Sequence, residues 1–139
     1  MRIIVEPSTD PSDYLFVHDI RVRFAETDAM GIVHHASYLP YLEEARVAYL
    51  RSIDHDYVSV RESGSNFAVI EIAMKYIRPC YFDEVVRVHL RLGVRTRATF
   101  QIAYLLVVGG EARVTAVTAH GCIDPTGRPM RLPGWLTEL

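Results

Sequence analysis

The chain has 139 residues, half of them hydrophobic and 23% charged, with a formal net charge of -2. That suits one domain of ordinary size, residues 1–139, able to bury roughly two-thirds of its unfolded surface without disulfides or a structural metal. The charge balance gives no electrostatic case for nucleic acid, two cysteines make no disulfide framework, no apolar run approaches a membrane span, and residues 1–13 lack a signal peptide's apolar core, so a cytoplasmic protein with two reduced thiols is expected.

In chain order, residues 1–14 are expected to form a flexible lead-in, with Pro7, Pro11 and four Ser or Asp positions marking a solvated segment. From Leu15 to Phe24 the pattern becomes strand-like, with Phe16, Ile20, Val22 and Phe24 on one side and Arg21 and Arg23 on the other. Ser37 is a candidate N-cap, and Pro40 is tolerable in a first turn because its missing amide would have no intrahelical partner. Leu39, Leu42, Ala45 or Arg46, and Tyr49 then recur at helical spacing, predicting one helix to about Arg51. Glu43 and Arg46 are spaced to pair along it. Residues 52–66 read as a connecting loop.

Strand-like segments follow at Phe67–Arg78, Glu84–Val94, Thr99–Val108 and Glu111–Ile123, with Gly109-Gly110 as a tight hairpin and residues 124–127 as a turn. In the second of these, Val86, Val88, Leu90 and Leu92 alternate with Arg87, His89 and Arg91. The order strand, helix, four strands predicts an α+β fold, a curved antiparallel sheet whose apolar face the single helix covers.

The most reactive stretch is Thr27 to Tyr38, Thr-Asp-Ala-Met-Gly-Ile-Val-His-His-Ala-Ser-Tyr. It sets a carboxylate, Asp28, and two histidines, His34 and His35, just ahead of a helix start, where backbone N–H groups can polarise a carbonyl. Asp28 is a weak base at neutral pH but a competent nucleophile, so it can attack a polarised carbonyl or align a water, and the sequence leaves both open. Adjacent histidines without a third ligand at a recognisable spacing make a poor zinc site. Lys75 is the only lysine among fifteen basic residues. Arginine forks on and after one strand (Arg87, Arg91, Arg95, Arg97) suit phosphate, although a solvated strand face explains any one of them better.

The Thr-Asp-x-x-Gly-x-Val-x-His-x-x-Tyr segment, with Tyr41-Leu42-Glu43-Glu44-Ala45-Arg46, residues 69–79, Tyr81-Phe82-Asp83-Glu84 and Gly127-Arg128-Pro129, resembles the hotdog-fold acyl-CoA thioesterases. The nearest branch is the 4-hydroxybenzoyl-CoA thioesterase family and its YbgC-like subfamily, and the resemblance spans roughly residues 17–133. It implies a hotdog fold, a five-stranded antiparallel sheet wrapped around one long central helix, and hydrolysis of a short-chain or aromatic acyl-CoA to the free acid and coenzyme A.

It further implies Asp28 as the catalytic carboxylate and His35 at the helix entry as a partner in holding and polarising the thioester. Gly31, Val33, His34, Ala36 and Tyr38 would complete the substrate site, with Glu44 as a reserve helical carboxylate and Arg87 and Arg91 as contacts for coenzyme A phosphates. Pocket depth would be set by Phe67, Met74 and Tyr76. No metal or other cofactor is implied, coenzyme A being part of the substrate, and the expected partner is a second copy of the chain in a homodimer or homotetramer. Phe24 departs from the pattern, because close relatives often carry a tyrosine there. Two other functions fit the same pattern: a thioesterase for acyl carrier protein substrates, and a non-catalytic acyl-CoA binder or adaptor.

Overall fold

The computed structural model describes Ile3 and residues 5–139. Five antiparallel strands, β1 (Phe16–Arg21), β2 (Asn66–Tyr76), β3 (Val85–Arg95), β4 (Thr99–Val108) and β5 (Glu111–Ile123), form one sheet in the order β1-β3-β4-β5-β2. The long helix α1 (Tyr38–Ser52) packs into its concave face. This is the hotdog arrangement.

The inner face follows the alternation of the strands. Val86, Val88 and Leu90 of β3, Ile102, Tyr104 and Leu106 of β4, and Val114, Ala116 and Cys122 of β5 are all nearly inaccessible and pack around Leu42 and Ala45 of α1. Gly109 and Gly110 both have positive φ, 56° and 80°, so the β4–β5 hairpin turns in a conformation that β-carbons disfavour. His120 and Cys122 lie buried on β5, and Trp135 of the C-terminal turn α3 (Gly134–Thr137) stacks on His55 at 3.9 Å.

The outer face is also covered. Of the lead-in expected over residues 1–14, Met1, Arg2 and Ile4 lie outside the described residues, and Pro11–Asp13 form a single 3-10 turn. Tyr14 is buried against Ala103, Leu105 and Val107, with Val5 beside them. Gly93 permits that approach, since a β-carbon there would stand 3.0 Å from Val5 Cγ2.

Three local expectations are corrected. β1 ends at Arg21, and Phe24 begins a 3-10 turn, 76% exposed, with its ring edge-on to Phe82. The chain must leave the sheet there to enter the Asp28 loop. Ser37 does not cap α1: it is already helical (φ -72°, ψ -14°), whereas a capping side chain acts from an extended residue. That place is taken by His34 (φ -62°, ψ 139°), whose Nδ1 accepts from the Ala36 N–H at 3.1 Å and opens a 3-10 turn, His35–Ser37, leading into α1. Finally, the loop of residues 52–66 contains a short helix, α2 (Tyr57–Glu62), anchored by buried Val60.

Candidate active site

The Asp28 loop is fixed by its own backbone. Asp28 N–H donates to Ile32 O at 2.9 Å and Gly31 N–H to Asp28 O at 3.0 Å, with Gly31 at φ 77° closing the turn. Met30 N–H donates to Asp28 Oδ1 at 2.8 Å, the local turn bond that aspartate commonly makes. Its other oxygen, Oδ2, has no hydrogen-bond partner among the described residues. Asp28 is therefore both a turn-former and a carboxylate with one free oxygen.

Behind the loop, Glu26 joins it to the helix. Its Oε1 accepts from the Tyr41 hydroxyl at 2.7 Å and from Arg23 N–H at 2.8 Å, while Oε2 pairs with Arg23 Nε at 2.7 Å. These donors hold the Glu26 carboxyl below the usual range against the opposing effect of burial.

The helix entrance has little spare hydrogen-bonding capacity. Val33 N–H donates to Cys80 O, His34 N–H to Glu26 O, and Ala36 N–H to the His34 ring. Of the N–H groups of residues 33–36, that of His35 alone has no acceptor among the described residues. The His34 and His35 rings lie 4.1 Å apart, both residues exposed.

Asp28, Val33, His35 and Tyr38 share one cavity of ≈ 360 Å³, closed on its far side by residues 76–79. Tyr76 extends its hydroxyl to His35 O at 3.3 Å, and Tyr38 accepts from Cys80 N–H at 3.3 Å. Burial pushes the Tyr38 phenol well above its ordinary value. Tyr76, expected only to set pocket depth, lines this cavity, as do Met30 and Arg78, which the sequence pattern does not mark as site residues. A basic residue directly before Pro79, at the end of the strand that returns to the loop, was the available signal for Arg78.

Other candidates lie elsewhere. Glu44 Oε2 meets His18 Nε2 at 2.7 Å on the solvent side of α1. Arg87 pairs with Asp19 through bonds of 3.0 and 3.3 Å, and Arg91 sits over the Tyr14 ring at 5.9 Å, both on the outer sheet face. Phe67 packs edge-on to Phe100 at 5.1 Å, away from Asp28. The Glu43–Arg46 pair that helical spacing allows is not made, and no described carboxylate lies within ion-pair distance of Arg46. No described helix is long and apolar enough to cross a membrane.

A family model described as the thioesterase-like superfamily matches residues 22–139. The fold superposes on the crystal structure of a protein from Aquifex aeolicus with a TM-score of 0.85 and 35% identity, covering 89% of this chain and 98% of that one. The acyl-CoA thioester hydrolase YbgC of Escherichia coli O157:H7 is 29% identical over 122 residues, 86% of this chain and 90% of its own length. The 1,4-dihydroxy-2-naphthoyl-CoA hydrolase of Gloeothece citriformis is 29% identical over 125 residues, with coverages of 84% and 85%.

Proposed function

Because the chain belongs to the thioesterase-like superfamily, we propose that it hydrolyses acyl-CoA thioesters with Asp28 as nucleophile. The observation that carries this is the pairing, in one cavity, of the free Asp28 oxygen with the single unengaged N–H of the helix entrance, that of His35.

Asp28 Oδ2 adds to the thioester carbon, and the resulting oxyanion is held by the His35 N–H. The C–S bond breaks as the carbonyl re-forms, coenzyme A leaves as a thiolate that takes a proton from water, and the acyl group remains on Asp28 as a mixed anhydride. Water then cleaves the anhydride to release the acid and restore the carboxylate. An oriented oxygen that is a poor base at neutral pH favours attack over water activation. Arg78, at the cavity wall, is placed to meet a coenzyme A phosphate.

The functional unit is a homodimer joined along β2. That strand has one neighbour, β5, and Val69, Ile70, Ile72, Tyr76 and Ile77 at its end and edge are each 40–51% exposed. An apolar open edge of this length calls for cover, and a second copy provides it.

The test is thiol release from short-chain, long-chain and aromatic acyl-CoAs by wild type and Asp28→Asn, whose side-chain carbonyl can still accept from Met30. Turnover that collapses in the variant supports the assignment. Wild-type turnover confined to carrier-protein thioesters would move the substrate, and binding without turnover would mark an acyl-CoA binder. Equal rates in both proteins would remove Asp28 from the mechanism.

A further inference from the structure

Helix α1 and edge strand β2 run in opposite directions along a common seam. Its first cavity, holding Asp28 and His35, lies where the start of α1 meets the end of β2. A second cavity, of ≈ 260 Å³, lies farther along the same seam. Leu42, Val69 and Ile72 wall it, Arg46 and Thr118 supply polar groups, and Glu43 is exposed to solvent at its side.

Arg46 is the unusual member. It is 7% exposed and has no ion-pair partner among the described residues. Its Nη1 donates to the Tyr104 hydroxyl at 3.2 Å, Tyr57 is a second hydroxyl neighbour, and Nε is buried without any partner. Tyr104 in turn bonds Thr118 at 2.7 Å, and Thr118 bonds His120 at 2.7 Å. Every group in this chain is neutral except the guanidinium. Burying a cation is unfavourable; the two tyrosine hydroxyls ease that cost, and no carboxylate among the described residues does.

We propose that the second cavity receives the far end of the acyl group, and that Arg46 there recognises a carboxylate, making ω-carboxyacyl-CoA thioesters the preferred substrate class. A carboxylate on the guanidinium gives Arg46 the charge partner that the folded chain withholds, in the planar geometry that arginine forks match.

This inference rests on the thioesterase function, and the experiment separates the two. Glutaryl-CoA is compared with valeryl-CoA, and adipyl-CoA with hexanoyl-CoA, each pair equal in length and differing in the terminal carboxylate. Wild type is expected to favour the carboxylate-ended member in kcat/KM by about tenfold or more. Arg46→Met is expected to invert that ratio, and Arg46→Lys to restore part of it. A wild type that prefers the methyl-ended esters, or an Arg46→Met protein with an unchanged ratio, overturns the proposal. In parallel, free glutarate and free valerate are tested for thermal stabilisation of the wild type, a readout independent of turnover and of any variant's folding. Stabilisation by glutarate alone supports the anion pocket even if no ester is cleaved, and equal or absent stabilisation by both counts against it.

Discussion

The Tyr41 hydroxyl, on the buried face of α1, donates a 2.7 Å hydrogen bond to Glu26, two residues ahead of Asp28. That bond ties the helix that follows the His35 amide to the loop that carries Asp28, so the two groups proposed to act on the thioester share one anchor. Tyr41→Phe is expected to cost ~1–3 kcal/mol of stability, the range for a hydrogen bond to a charged acceptor. It should also lower kcat more than it raises KM, since the chemistry depends on the fixed separation. Urea unfolding and steady-state kinetics check both, and a stable variant with unaltered kcat would show that the loop is held without this bond.

Asp28 as nucleophile predicts a covalent acyl-enzyme. Borohydride added during turnover should reduce the mixed anhydride and convert Asp28 to homoserine, detectable by peptide mass spectrometry. Turnover without any modification at Asp28 would favour water activation instead.

The proposed role of His35 lies in its backbone, which separates two substitutions. His35→Ala keeps the N–H and should reduce kcat by less than ~10-fold. His35→Pro removes that donor at a first-turn position where proline is tolerated, after a residue whose ψ of 139° suits a following proline. The loss expected for a missing oxyanion donor is ~10²–10³-fold. If alanine is the worse of the two, the imidazole rather than the amide is at work.

His120 predicts an acid limb in stability. Burial, reinforced by the nearby Arg46 charge, lowers its pKa from 6.5 to about 3. Between those values the unfolded chain binds a proton that the folded chain refuses. Stability from this group is therefore complete above pH 6.5, falls as pH drops, and is lost near pH 3, a difference on the order of 4–5 kcal/mol. His120→Gln should flatten that part of the profile in denaturant titrations across the range. An identical slope in the variant would place the acid sensitivity elsewhere.

Pairing along β2 predicts that Ile70→Glu, a charge on the exposed edge and outside both cavities, shifts the protein from dimer to monomer in sedimentation velocity and lowers activity in proportion. A wild type that sediments as a monomer at all concentrations would remove β2 from the interface.

Much of this architecture was legible in the residues. The alternation Val86, Val88, Leu90 against Arg87, His89, Arg91 placed β3 correctly to within a residue, and Gly109-Gly110 located the β4–β5 hairpin. The spacing of Leu42 and Ala45 gave the buried face of α1, although Leu39 on the same predicted stripe is 40% exposed. What the one-dimensional pattern did not carry were contacts across the fold. The capping of Ala36 by a histidine ring depends on how the chain enters the helix, which propensity scales for Ser37 do not encode. Arg46 looked like a helix-surface partner for Glu43 because i,i+3 spacing says nothing about which side faces the sheet. The arginines of β3 were plausible phosphate ligands until Asp19 and the Tyr14 ring appeared opposite them.

The covering of the outer sheet face by Val5 and Tyr14 has a bearing on handling the protein. A chain trimmed to start at Leu15 would present Ala103, Leu105 and Val107 to water as a flat aliphatic plate. Plates of that kind stack on one another, so such a shortened form should precipitate or build face-to-face assemblies while the Asp28 cavity stays intact.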